Sequence, residues 1–142
     1  MVTQNYFSQT KQVDSLKLLL NTTKEDTEKI LIRNLIGEQA GINRISYWDS
    51  IKISCEQLLS RKENKAVINT TNILLSTVYN NIGYFAERKG DIALALKSYN
   101  VSLNISESLN DKEGIAGTQN NLALLYWQQG DLNASLPRVR SG

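Results

Sequence analysis

The chain has 142 residues, with 16 Lys plus Arg against 14 Asp plus Glu and no His. The near-balance leaves no footprint for nucleic acid or an anionic membrane, and the lack of His removes imidazole bases, Ser-His-Asp and Cys-His nucleophile systems and His-bearing metal sites. One Cys forms neither an internal disulfide nor a cysteine zinc site, one Pro with eight Gly is too little punctuation for an all-β chain, and 41% hydrophobic residues can support a core.

Met1 to Thr10 lacks the basic and apolar regions of a signal peptide, and no apolar run approaches the roughly 18 residues of a membrane helix. A cytoplasmic location is the default. A short lead helix is predicted at 11–20, carried by Val13, Leu16, Leu19 and Leu20. Thr22 and Glu25 have capping-box spacing and open a helix at 24–41 whose acidic start, Glu25, Asp26 and Glu28, suits the positive helix end. Ser46 caps a helix at 47–60, in which Cys55 reads as a buried small apolar group. Ser60 and Glu63 open a longer helix at 63–89. Its apolar residues make two stripes, Leu75, Val78, Ile82 and Phe85, and Tyr79, Ile82 and Ala86. Gly90 then takes the left-handed position that ends a helix, and Asp91 caps the next, at 91–109. That helix is again apolar on two sides, as a helix packed between neighbours must be. Asn110 and Glu113 open the last complete helix, at 111–129.

A shift of 40 residues superposes the chain on itself. Asn80-Asn81-Ile82-Gly83-Tyr84-Phe85 falls on Asn120-Asn121-Leu122-Ala123-Leu124-Leu125, and Gly90-Asp91-Ile92 falls on Gly130-Asp131-Leu132. The layout is a lead helix (1–23), a degenerate hairpin (24–62), a clear hairpin (63–110), and a hairpin (111–142) cut short in its second helix, where Pro137 stands inside the expected element. Such an ending predicts a fragment of a longer array. Its uncovered end, near Leu125 and Leu132, is a candidate for self-association.

Residues 76–136 resemble tetratricopeptide repeats. The resemblance rests on Gly83, Gly90-Asp91, Ala95 and Tyr99, followed by Ala123, Gly130-Asp131 and Ser135. The stretch from Asp111 to Tyr126 is similar to the long-period version seen in the kinesin light chain class and in bacterial regulators. Residues 24–60 match only loosely, with Tyr47 and Ser50 at second-helix positions and no Gly-Asp turn. The resemblance implies an all-α, right-handed superhelical solenoid of antiparallel helix hairpins. It also implies a non-catalytic protein–protein interaction scaffold, without cofactor, that takes a peptide or partner helix in a concave groove lined by first helices. The opening, Gln12 to Leu20 and then Glu25 to Ile30, is similar to tetratricopeptide sensor regions of bacterial two-component kinases. That likeness implies an alternative role as the sensor or regulatory region of such a kinase, with a periplasmic location.

Within the implied groove, Asn80 and Asn120 correspond, as do Asn81 and Asn121. A carboxamide donates and accepts at once, which suits an extended peptide backbone. Tyr84, Glu87 and Arg88 lie further along the same helix, and Leu124, Trp127 and Gln128 match them. The alternative is that one Asn of each pair bonds a neighbouring helix while Trp127 packs between repeats. Gly83 and Ala123 read as close helix contacts. Arg61-Lys62 with Lys65, and Arg138 with Arg140, are too few to hold nucleic acid.

Overall fold

The computed structural model describes residues 2–130, which form six helices and no strand. They are α1 (Val2–Thr22), α2 (Asp26–Gln39), α3 (Ile45–Leu59), α4 (Lys65–Arg88), α5 (Ile92–Ser108) and α6 (Lys112–Gln128). The ends of α2 to α6 fall within two residues of the expected ones, whereas α1 starts well before the predicted 11–20. The truncated second helix with Asp131, Leu132, Ser135 and Pro137 lies outside the described residues.

Two of the helix starts differ from the expected caps for one physical reason. A hydroxyl at the end of a helix finds a carbonyl of its own last turn before it can reach the next N-terminus. Thr22 donates to Leu19 O at 3.0 Å and Ser60 to Gln57 O at 2.7 Å, so neither caps the helix that follows. Ser46 falls inside α3, whose N-cap, Arg44, makes no side-chain cap. The capping is done by short carboxylate and carboxamide side chains. Asn64 accepts from Val67 N at 3.0 Å, Asp91 from Leu94 N at 3.0 Å, and Asp111 from Gly114 N at 3.2 Å. Asn110 does not cap α6; it closes α5 in the left-handed conformation, with φ +54°.

The helix ends repeat one device. After α4, Gly90 (φ +82°) donates to Glu87 O at 2.9 Å and Asp91 donates to Ala86 O at 2.9 Å, the paired bonds of a Schellman ending. The same pair recurs at Gly41 with Ile42 after α2, and at Asn110 with Asp111 after α5. The degenerate hairpin therefore has its left-handed corner too, followed by a three-residue connection where a Gly-Asp pair would make it tight.

Packing follows from these corners. The backbone of α4 touches those of α2 and α6, while no Cα of α3 comes within 8 Å of α5. First helices are thus contiguous and second helices splay, which bends the stack with α2, α4 and α6 on its inner side. Ile30, Trp48, Ile51, Cys55, Leu58, Leu74, Leu75, Val78 and Ile82 form one core joining α2, α3 and α4. Ala86, Ala95, Tyr99, Leu122 and Leu125 form another joining α4, α5 and α6. Val13, Ile32 and Ile36 join α1 to α2. Helices α2 and α4 each serve two cores, so each hairpin covers the face its neighbour leaves open. The extra turns at the start of α4 cover the end of α3: Val67 and Leu59 pack on the core that holds Leu58, and Thr71 is fully buried.

Leu125 is fully buried in the second core, so it is not the exposed end residue that the sequence suggested; α4 and α5 already cover it. Two close approaches fix the hairpins. A Cβ on Gly83 would lie 2.7 Å from the Tyr99 ring, and one on Gly37 would lie 2.6 Å from the Trp48 ring. Trp48 is fully buried, donates to Ile42 O at 2.9 Å and stacks on Phe85 at 6.0 Å. It is thus the degenerate hairpin's aromatic anchor. Tyr47 and Ser50 instead bind the Arg33 segment, Tyr47 through Arg33 O at 2.5 Å and Ser50 through the guanidinium at 2.7 Å.

Candidate functional site

The groove is built from first helices, whose inner faces recur at three- and four-residue spacing. On α4 that face carries Asn81, Tyr84 and Arg88, and on α6 it carries Asn121, Leu124 and Gln128. Between the two lies a cavity of about 420 Å³ lined by Tyr84, Glu87, Arg88, Asn121, Leu124 and Gln128. Tyr84 is 41% exposed and Leu124 48%, both high for large apolar groups.

The polar groups in the cavity are held in place. Arg88 lies 5.5 Å over the Tyr84 ring and donates to its hydroxyl at 3.2 Å, so cation and ring form one unit. Tyr84 meets Phe85 edge-on at 5.1 Å. Glu87 accepts from the Tyr99 hydroxyl at 2.8 Å. Burial, helped by that carboxylate, pushes the Tyr99 phenol far above its ordinary pKa, so it stays a neutral donor.

The carboxamides bridge helices. Asn121 donates through Nδ2 to Asn80 Oδ1 at 3.0 Å, linking α6 to α4. Asn81 donates through Nδ2 to Glu38 Oε1 at 3.2 Å, linking α4 to α2. Bonding to a neighbouring helix and standing on the inner face are therefore not exclusive: Asn80, Asn81 and Asn121 remain half-exposed. Asn120 is exposed and Trp127 is 62% exposed, and neither lines the cavity. Seven residues apart, they share a face of α6 turned about 100° from that of Asn121. The structure thus brings Tyr84, Arg88, Asn121 and Leu124 into one cavity, places Asn80 and Asn81 beside it, and leaves Asn120 and Trp127 outside.

Sequence reasoning missed Glu38. Its place in a first helix was legible, but the register of α2 against α4 was not, because the Gly37 contact and the Gly41 corner are four residues apart while Gly83 and Gly90 are seven apart. It also missed a buried hydroxyl seam. Ser76, Ser102, Ser106 and Thr118 join α4, α5 and α6, with Ser102 donating to Ser76 O at 2.8 Å and Ser76 to Ser102 O at 3.0 Å. Ser106 meets Ser76 Oγ at 2.6 Å and Thr118 meets Ser102 Oγ at 3.1 Å. Among the described residues no group of three His, Cys, Asp or Glu could hold a metal ion, and no helix is long and apolar enough to cross a membrane.

Residues 74–141 match the family model described as tetratricopeptide repeat, so this segment is similar to that family. No curated protein and no solved structure matches the chain. Repeats of this family are in general non-catalytic, and protein–protein interaction is what they typically serve.

Proposed function

We propose that this chain acts without catalysis, as a scaffold that takes an extended peptide or a partner helix in the groove between α4 and α6. The observation that carries this reading is the cavity of about 420 Å³ in which two exposed apolar groups, Tyr84 and Leu124, converge with oriented polar ones. An anchor side chain would bury against Tyr84 and Leu124, while carboxamide groups of Asn81 and Asn121 would meet the ligand backbone. Trp127 would add aromatic contact for a ligand long enough to pass beyond the cavity.

The test starts from dodecapeptides selected on the chain out of a random displayed library. Their affinity is then measured by fluorescence anisotropy on the chain with Asn81 and Asn121 both changed to Ala, and on Tyr84→Ala. One hydrogen bond contributes about 0.5–1.5 kcal/mol, so each lost bond should weaken binding about two- to tenfold, with far-ultraviolet circular dichroism unchanged. Selected peptides that bind all variants as well as the parent would show that the groove is not the site.

A further inference from the structure

The end of α2 carries an arrangement that the groove reading leaves unused. Glu38 Oε1 accepts from Asn34 Nδ2 and from Asn81 Nδ2, each at 3.2 Å. An ionised carboxylate has no hydrogen to give, so both carboxamides must turn their NH2 groups toward it. Both carbonyl oxygens are thereby committed as acceptors facing elsewhere. Asn34 Oδ1 is buried and finds no donor among the described residues. Glu38 itself is exposed, and its second oxygen makes no hydrogen bond within the described residues.

The electrostatics point the same way. Glu38 stands in the last turn of α2, at the negative end of the helix dipole, where an anion is unfavourable and a cation is favoured. That turn has no basic residue. Among the described residues the ion pairs are Lys29–Asp26, Lys52–Asp49 and Arg61–Asp26, so no Lys or Arg nitrogen comes within 4.0 Å of Glu38. A carboxylate, a helix C-terminus and committed carbonyl oxygens meet with no Lys or Arg nitrogen within 4.0 Å among the described residues.

We propose that Glu38 and Asn81 seat a Lys or Arg side chain of the peptide bound in the groove. This rests on the groove reading, and it adds the ligand's chemistry: a basic residue on the α2 side of the segment that crosses α4. The ammonium or guanidinium donates to the second Glu38 oxygen and to Asn81 Oδ1. An acidic or phosphorylated ligand finds only repulsion here, and a neutral one leaves the charge unpaired.

The probes are two fluorescein-labelled octapeptides, one alternating Lys and Ala and one alternating Gln and Ala, titrated by anisotropy against the full chain. The lysine peptide should bind about three- to tenfold tighter at low salt, and that margin should shrink in high salt. Glu38→Gln keeps an acceptor for Asn34 and Asn81, so the fold is undisturbed, yet the margin should vanish. Equal binding of the two peptides, no measurable binding of the lysine peptide, or a lysine preference that survives Glu38→Gln would each overturn the proposal. Spermidine displacing the lysine peptide at equal concentration would overturn the peptide as the source of the cation. Asn121→Ala separates the two readings. If it weakens both peptides while Glu38→Gln weakens neither, the groove stands and the cation seat falls. If only Glu38→Gln acts, the groove between α4 and α6 falls, and with it the proposal in this form, because Glu38 then binds the cation without a peptide seated there.

Discussion

Gly83→Ala should destabilise the chain although alanine is the better helix former, and Gly117→Ala should do the opposite. A methyl group on Gly83 would sit 2.7 Å from two carbons of the Tyr99 ring, about 1 Å inside ordinary carbon contact. The ring has no easy retreat: Tyr99 is fully buried and its hydroxyl is tied to Glu87 at 2.8 Å. Overpacking of this kind costs about 1–3 kcal/mol, against a gain of about 1 kcal/mol for replacing Gly by Ala in a helix. Gly117 stands in α6 with nothing within 4 Å of its would-be Cβ, so only the gain applies. The helix-propensity contribution cancels between the two variants. Their difference, about 1–3 kcal/mol, is then the ring contact alone. Urea unfolding followed by circular dichroism gives both midpoints and slopes. Gly117→Ala should raise the midpoint, and Gly83→Ala should fall well below it. Coincident midpoints would refute the claim that a side-chain-free position sets the α4–α5 approach.

Three further outcomes are expected. Cys55 is fully buried, and burial pushes its thiol up to about 12, so a disulfide reagent at pH 8 should leave it unmodified in the folded chain and titrate one thiol in urea; fast labelling without denaturant would contradict the packing. The hydrogen bond from Arg61 holds the Asp26 carboxyl below its ordinary 3.8, so its contribution to stability is complete above that value and is lost as pH falls through the lowered one. Asp26→Asn should remove that part of the acid sensitivity in thermal melts between pH 5 and 2. High salt should mute it, since both partners are about half exposed. Ser102→Ala deletes the hub of the buried hydroxyl seam and leaves Thr118 and Ser76 O short of a partner, for a loss of about 1–3 kcal/mol by urea unfolding; an unchanged midpoint would mean that the seam only fills space.

The hairpins were legible because their corners are local. Gly90 needs positive φ and Asp91 needs the adjacent backbone N–H groups, so two consecutive residues specify one corner whatever surrounds it. The apolar stripes on α4 were legible for the same reason: Val78, Ile82 and Ala86 are fixed by helix periodicity and all are buried. The first hairpin was harder to read because its signals are spaced differently. Gly41 turns the corner as Gly90 does, yet the close contact is Gly37 against Trp48, four residues before the corner. A fixed template of small residue, seven-residue interval and Gly-Asp therefore passes over it. The hydroxyl capping boxes misled because a Ser or Thr hydroxyl has two kinds of partner in reach, and here it donates to the carbonyl one turn back while the N–H groups ahead go uncapped by it.

The candidate site was legible in its residues and not in its pairings, and the reason is geometric. Adjacent positions on a helix diverge by about 100°, so Asn80 and Asn81 point to different neighbours although both border the inner face. Asn80 receives α6 through Asn121, and Asn81 reaches α2 through Glu38. Which Asn serves which side depends on how far α2 and α6 slide along α4. That offset is set by Gly37 under Trp48, Gly83 under Tyr99 and the hydroxyl seam, contacts separated by 11 to 30 residues in sequence. A repeat period read from one chain fixes the equivalence of positions but carries no information on that sliding. It also leaves open whether the oxygen or the NH2 group of each carboxamide is free for a ligand. Only the acceptor-only nature of Glu38, once the fold places it beside Asn81, decides that the α2 side of the groove asks for a donor.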